Sequence, residues 1–267
     1  MNLMTRASRQ LPIRRSRGYF GFTLVEMLVV LAIVAIMAAL LLSALSKAKE
    51  YGRSTVCRNN MRQITLGFLM YAEDNGEVLP WPGGAPDRAN TNPNYAADWC
   101  AGGQSSITAS LSSWSAPGFG MNPECGSVFP YVMSQQRRTY SASFKQPYPT
   151  YLCPNSGILG EKQRVNYSAN GWLDPGKPFG TGAVPANGVM TTAIVDPSRK
   201  VLIVNEDPRR MLNPAFEPGT ASSPNAFVQH LDRCNVSFTD GHLESIPVRT
   251  LLRMQGRDAD VYFNLGK

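Results

Sequence analysis

The chain has 267 residues, 43% of them hydrophobic, with 20 Pro, 23 Gly and a formal net charge of +7 at pH 7. Setting aside one long N-terminal helix leaves about two hundred residues, enough for a single domain with its own core. The charge does not mark a nucleic-acid binder. Arg6, Arg9, Arg14, Arg15 and Arg17 precede Phe22 with no acid among them, and beyond them 21 basic residues face 19 acidic ones without a basic stripe.

The first element is the run Phe22–Leu45, apolar apart from Thr23, Glu26 and Ser43. Its 24 residues span about 36 Å as a helix, enough to cross a bilayer. A secretory signal peptide would explain the basic start and the small residues Ala44 and Ser46. The apolar run is nevertheless longer than such signals use, and Glu26 lies inside it. A plain anchor fits the length but leaves Glu26 unexplained, because a carboxylate in a membrane-spanning core costs about 2.5 kcal/mol or more. Basic residues flank the run on both sides (Arg14, Arg15 and Arg17; Lys47, Lys49 and Arg53), so they orient it only weakly.

Gly21-Phe22-Thr23-Leu24-Val25-Glu26 resembles the prepilin cleavage and methylation motif of type IV pilins and type II secretion pseudopilins. The resemblance implies that a prepilin peptidase cuts after Gly21 and methylates the new N-terminus at Phe22. It also implies that Glu26 reaches the Phe22 amine of a neighbouring subunit during assembly. Elementary chemistry agrees: cleavage would create an ammonium at Phe22, with Glu26 its i+4 neighbour near the positive end of the helix dipole. Many family members carry a proline about where this chain has Ser43, so a kink there is not expected. Ala35, Ala39 and Ser43 form a ladder of small residues suited to close helix approach.

Helical periodicity continues through Met61, Ile64, Phe68 and Tyr71, with Arg58, Arg62, Gln63 and Glu73 on other faces, until Asn75-Gly76. The spacing predicts one helix from about residue 23 to 74, near 78 Å long. The expected fold class is α+β and pilin-like: a long N-terminal helix, its first half transmembrane, packed on a loop-rich antiparallel sheet. The expected divisions are a cleaved leader (1–21), an assembly helix (22–46), its continuation (47–76) and a globular head (77–267).

Cys57-Arg58-Asn59-Asn60-Met61-Arg62-Gln63-Ile64 and Tyr71-Ala72-Glu73-Asp74-Asn75-Gly76 resemble the pseudopilin-like proteins that carry a processing-associated H-X9-DG domain. Tyr151-Leu152-Cys153-Pro154 agrees, as does His230 followed nine residues later by Asp240-Gly241. Residues 78–142 read as an irregular, loop-rich stretch. Its aromatics (Trp81, Trp99, Trp114, Phe119, Tyr131) suit a core more often than a sugar-binding face. Val189–Val195 and Lys200–Asn205 read as strands around an Asp196-Pro197-Ser198 turn, with Val201–Val204 central and buried. Asn235–Thr239 and His242–Ile246 flank Asp240-Gly241 as a two-residue hairpin loop, with Phe238 facing Leu243 in a hairpin element over 230–246. A strand's length then separates His230 from Asp240 and makes His242 the nearer neighbour of Asp240.

Cys57, Cys100, Cys125, Cys153 and Cys234 show neither C-x-x-C nor zinc-finger spacing; export would allow one or two disulfides of unassigned pairing, with one thiol over. A metal set of His230, Cys234, Asp240 and His242 is disfavoured, and no metal or cofactor is expected. Calcium would call for Asp240 with Glu244, or Asp258 with Asp260, and solvated acids are the preferred reading. No hydrolase or nucleotide motif occurs, so the expectation is a non-enzyme.

Two functions remain in view. In the first, the chain is a structural subunit processed by prepilin peptidase. It assembles with copies of itself or other pilin-like subunits through secretion or pilus machinery. It sits once in the inner membrane with a cytoplasmic N-terminus and periplasmic head, and reaches a fibre or the cell surface after assembly. In the second, the helix is a tether, and the head is a binding module for glycans or exported cargo.

Overall fold

The structure, a computed structural model, describes residues 21–83, 97–102, 121–139, 146–174, 178–179, 182–183, 188–211, 213–219, 226–228 and 230–267. It forms two compact units that divide between Lys47 and Ala48. Helix α1 is Leu24–Asp74. Its residues in the first unit are exposed and mostly apolar, Leu31 and Leu41 to 66% and 69%. The helix is long and apolar enough to cross a membrane. It passes through Ser43, whose hydroxyl donates to the Leu40 carbonyl at 2.9 Å.

In the second unit one face of α1 is buried. Cys57, Asn60, Met61, Ile64, Thr65, Gly67, Phe68 and Ala72 are buried at helical spacing, while Arg58, Asn59, Arg62 and Gln63 point to solvent. The helix ends where Gly76 and Glu77 take positive φ (68° and 65°) and the Glu77 amide donates back to the Ala72 carbonyl at 2.7 Å.

The short strands β1 (Ala101–Gly102) and β2 (Met121–Asn122) pair antiparallel, followed by helices α2 (Phe129–Met133) and α3 (Gly157–Gln163). The main sheet uses β3 (Tyr167–Asn170) and, after the small β4 (Pro178–Phe179) and β5 (Gly182–Ala183) pair, β6 (Val201–Asn205), β7 (Ala215–Phe216), β8 (Arg233–Phe238) and β9 (Leu243–Pro247). Helices α4 (Val248–Gln255) and α5 (Ala259–Tyr262) close the chain. Strand order is β7-β3-β6-β8-β9. All pairs are antiparallel except β3–β7, so the sheet is mixed rather than purely antiparallel.

The sheet is the middle of three layers. Tyr167, Ala169, Leu202 and Ile203 share a core with the inner face of α1. Val204, Cys234, Val236, Phe238 and Ile246 share another with Val248, Leu251 and Met254 of α4. Strand β6 is central and wholly buried, as its apolar run predicts. A register irregularity between Val201 and Ile203 lets the adjacent Leu202 and Ile203 reach one core.

Two expectations are corrected. Val189–Val195 is not a strand: Met190 makes an isolated bridge to Val78, and Thr191–Ala193 turn into a 3₁₀ helix. Only Val189 and Ile194 of it are buried, and its backbone docks instead, with the Leu79 amide donating to Val189 O and the Val195 amide donating to Leu265 O. The stretch after Val78 also holds helix α2; Val132 of this helix and Val128 just before it press so closely on Gly67 that a Cβ there would meet them at 2.7 and 2.8 Å.

A buried ion pair orders the region beside α3. Arg164 pairs with Glu124 and also donates to Met121 O, Asn122 Oδ1 and Gln146 O, so its fork is well used. Asp98 is served less well. It is buried, and its Oδ2 has no hydrogen-bond partner among the described residues. Burial, then repulsion from Asp174, pushes its pKa up to about 7. The folded chain therefore keeps this proton where the unfolded chain has released it. The stabilisation is complete below the ordinary carboxylate pKa of about 3.9 and is lost as pH rises to about 7, on the order of 4 kcal/mol in all. Asp98→Asn is expected to flatten that part of the profile. Urea unfolding across this range checks it, and an unchanged slope in the variant would assign the effect to other groups.

Candidate functional sites: the helix start and a buried cysteine–histidine cluster

At the start of α1 the sequence Thr23-Leu24-Val25-Glu26 forms a reciprocal cap. The Thr23 amide and hydroxyl each donate to Glu26 Oε2 at 2.8 Å, and the Glu26 amide donates to Thr23 Oγ1 at 3.2 Å. This is the capping box that a Thr followed three residues later by Glu announces, a signal the sequence reading passed over. Gly21, Phe22 and Glu26 stand together at the exposed beginning of the apolar helix.

The second site lies inside the other unit. Cys57 comes from the inner face of α1, Cys153 from the turn before Pro154, and His230 from the bend before β8. Their ligand atoms all lie within 4.8 Å of one another, and all three residues are buried. His230 Nε2 is 3.3 Å from Cys153 Sγ, and Nδ1 is 2.8 Å from Glu50 Oε1 of α1. Because an ionised carboxylate only accepts, Nδ1 carries the proton on that side. Asn205 donates its Nδ2 to Cys57 Sγ at 3.2 Å, and the Tyr167 hydroxyl lies 3.6 Å from the same sulfur. Hydrogen bonds from Cys153, His230, Asn235 and Tyr167 hold the Cys57 thiol well below its ordinary pKa, against the cost of burial. Cys153 moves the opposite way, raised by burial and by Cys57 beside it. Burial opposes a charge on His230, but Cys57 and Glu50 together outweigh it and raise its pKa.

The other candidates are placed differently. All five cysteines are buried free thiols. Burial raises the Cys100 and Cys234 thiols well above their ordinary range and pushes Cys125 up to about 12. His230 and Asp240 sit at opposite ends of β8, and Asp240 Oδ1 instead meets His242, at 3.0 Å from the amide and 2.5 Å from Nδ1. The set His230, Cys234, Asp240 and His242 is therefore not assembled. Nor are the calcium pairs: Asp240 and Glu244 flank His242, Asp258 pairs with Arg253, and Asp260 pairs with Lys267.

Among the aromatics, Trp99 is fully buried, donates to Pro214 O and stacks near Tyr151, while the Tyr131 hydroxyl donates to Asp74. Trp81 is partly exposed, and Trp114 and Phe119 lie outside the described residues. No aromatic platform is thus visible among the described residues.

The hairpin register differs from expectation by one residue. Ser237 pairs with Leu243, leaving Phe238 opposite His242, where the two rings stack with centroids 4.3 Å apart. The loop is therefore Thr239-Asp240-Gly241, closed by Gly241 N–H on Phe238 O and Phe238 N–H on His242 O. Gly241 has φ 92°, the left-handed residue of a three-residue hairpin loop rather than half of a two-residue one.

A long apolar helix behind a prepilin-type start, packed on a mixed but mostly antiparallel five-stranded sheet, defines a type IV pilin-like protein. Residues 16–42 match the prokaryotic N-terminal methylation motif. Residues 46–211, more than half of the chain, match the family described as protein of unknown function (DUF1559), and the chain belongs to that family. No curated protein and no solved structure matches it. The apolar helix behind the motif marks a membrane-anchored, exported protein.

The hairpin yields a direct test. A Cβ at Gly241 would adopt a disfavoured φ and meet Leu69 Cδ1 at 3.1 Å. Gly241→Ala is expected to destabilise the protein by more than about 1 kcal/mol in denaturant titration. A neutral result would mean that the loop tolerates a non-glycine backbone.

Proposed function

We propose that this chain is a pilin-like structural subunit, cleaved by prepilin peptidase after Gly21, N-methylated on Phe22, and assembled through its N-terminal helix into a pilus or pseudopilus. The observation that carries this reading is the register of Gly21, Phe22 and Glu26 against a helix whose apolar side chains through Leu45 are exposed. Such a surface must be covered, first by lipid and then by the helices of neighbouring subunits, homologous or identical. The head would be periplasmic, the N-terminus cytoplasmic, and the membrane the inner one. The family is generally non-enzymatic, and a structural role needs no catalytic group. The boundaries 1–21 for the leader, 22–46 for the assembly segment and 77–267 for the head follow from the same reading.

Mass spectrometry of protein recovered from membranes is expected to find an N-terminus at Phe22 carrying one methyl group. Intact residues 1–21, or a start near Lys47, would overturn the reading. Glu26→Ala is expected to remain processed and membrane-bound but to lose nearly all assembled fibre. Undiminished fibres would remove Glu26 from assembly.

A further inference from the structure

The cluster of Cys57, Cys153 and His230 has no part in the proposed assembly chemistry, yet it is built as a ligand set. Three soft or borderline donors come from three separate parts of the chain and converge within 4.8 Å. At ordinary zinc–ligand lengths of about 2.3 Å to sulfur and 2.0 Å to nitrogen, a tetrahedral ion holds the two donors roughly 3.5 Å apart. Cys153 Sγ and His230 Nε2 stand 3.3 Å apart. The surrounding groups match as well. Metal-bound histidines characteristically donate their other ring N–H to a carboxylate, which fixes the tautomer and strengthens the ligand. Glu50 Oε1 occupies that place at 2.8 Å from Nδ1. Asn205 Nδ2 donates to Cys57 Sγ, as suits a sulfur carrying negative charge.

A cavity lies next to the cluster. A cavity of about 720 Å³ is lined by Arg53, Pro154, Asn155 and Val228, among others. Asn155 lines it and also approaches His230 Nδ1 at 3.2 Å.

We propose that Cys57, Cys153 and His230 bind one zinc(II) ion, with a solvent oxygen in the fourth position and Glu50 holding the histidine. The ion clasps the inner face of α1 to the turn before Pro154 and to the start of β8. Binding displaces the thiol protons and leaves His230 neutral at Nε2, so affinity falls in acid. A disulfide between Cys57 and Cys153 excludes this site, because each sulfur would then be neutral and bonded to the other.

The test uses the full chain, purified in detergent with a phosphine reductant and freed of metal. Cobalt(II) is expected to produce a thiolate-to-metal charge-transfer band that saturates at one equivalent and is displaced by zinc(II). Zinc is expected to raise the thermal midpoint, and a chelator to reverse it. Cys57→Ser and His230→Ala should lose the band, whereas Cys234→Ser, a neighbouring buried thiol, should keep it. Glu50→Gln retains every ligand and should weaken zinc binding about 10–100-fold, which guards against ligand variants that fail to fold. Absence of the band and of any zinc-dependent midpoint in folded, reduced protein would overturn the proposal. So would recovery of Cys57 and Cys153 as a disulfide from membranes alkylated before lysis.

Discussion

The inner face of α1 beyond Ala48 is the constraint on which the globular unit depends. Cys57, Met61, Ile64, Phe68 and Ala72 form one stripe, and the sheet is laid against it through Tyr167, Ala169, Leu202 and Ile203. The stripe is not purely apolar. Asn60 sits within it and donates both amide protons, to Pro149 O and Leu152 O at 2.9 Å each. A buried amide that lost these acceptors would cost about 1–3 kcal/mol, so Asn60 fixes the chain just ahead of Cys153 rather than merely filling space. The pattern Cys57-Arg58-Asn59-Asn60-Met61 thus follows from geometry: positions 57, 60 and 61 face inward, and 58 and 59 meet water.

Strand β8 gives the nine-residue interval between His230 and Asp240-Gly241 a physical meaning. At its first end His230 meets Glu50 of α1, and at its far end Gly241 lies against Leu69. Between them Asn235 reaches the Ser54 carbonyl at 3.4 Å. The motif therefore measures a strand that lies along the same helix from Glu50 to Leu69. Its histidine and its aspartate serve different anchors and never meet. The hairpin turn is conformational chemistry, and the histidine end is ligand chemistry.

How much of this was legible in the sequence follows from how local each signal is. The extent of α1, its end at Asn75-Gly76 and the central burial of β6 rest on periodicity and composition within a few residues, and these were readable. The hairpin register was not, because Asp-Gly serves both two- and three-residue loops, and only the pairing of Ser237 with Leu243 decides between them. Val189–Val195 has strand-like composition but makes its backbone hydrogen bonds to Leu79 and Leu265, contacts that no window contains. The cysteine–histidine cluster was hidden for the same reason. Its members are separated by about a hundred and then nearly eighty residues, and only the fold brings them together. The one local signal overlooked was the Thr23–Glu26 box.

That box changes the meaning of Glu26. In isolation the residue is a carboxylate at the head of an apolar helix whose burial in lipid must be compensated. In the structure it already has compensation, since Thr23 supplies an amide and a hydroxyl donor to one oxygen. Thr23 lies on the mature side of the proposed cleavage point, so the cap survives removal of the leader. Oε1 and the charge itself are then left for an amine, because neither Thr23 bond neutralises the carboxylate. A pre-oriented carboxylate is a better receptor for a neighbour's ammonium than a free rotor, since less side-chain entropy is lost when the pair forms. Capping and the proposed assembly contact are therefore compatible uses of one group rather than competing explanations. In the proposed assembly, the capped geometry holds Glu26 in place before a second subunit arrives.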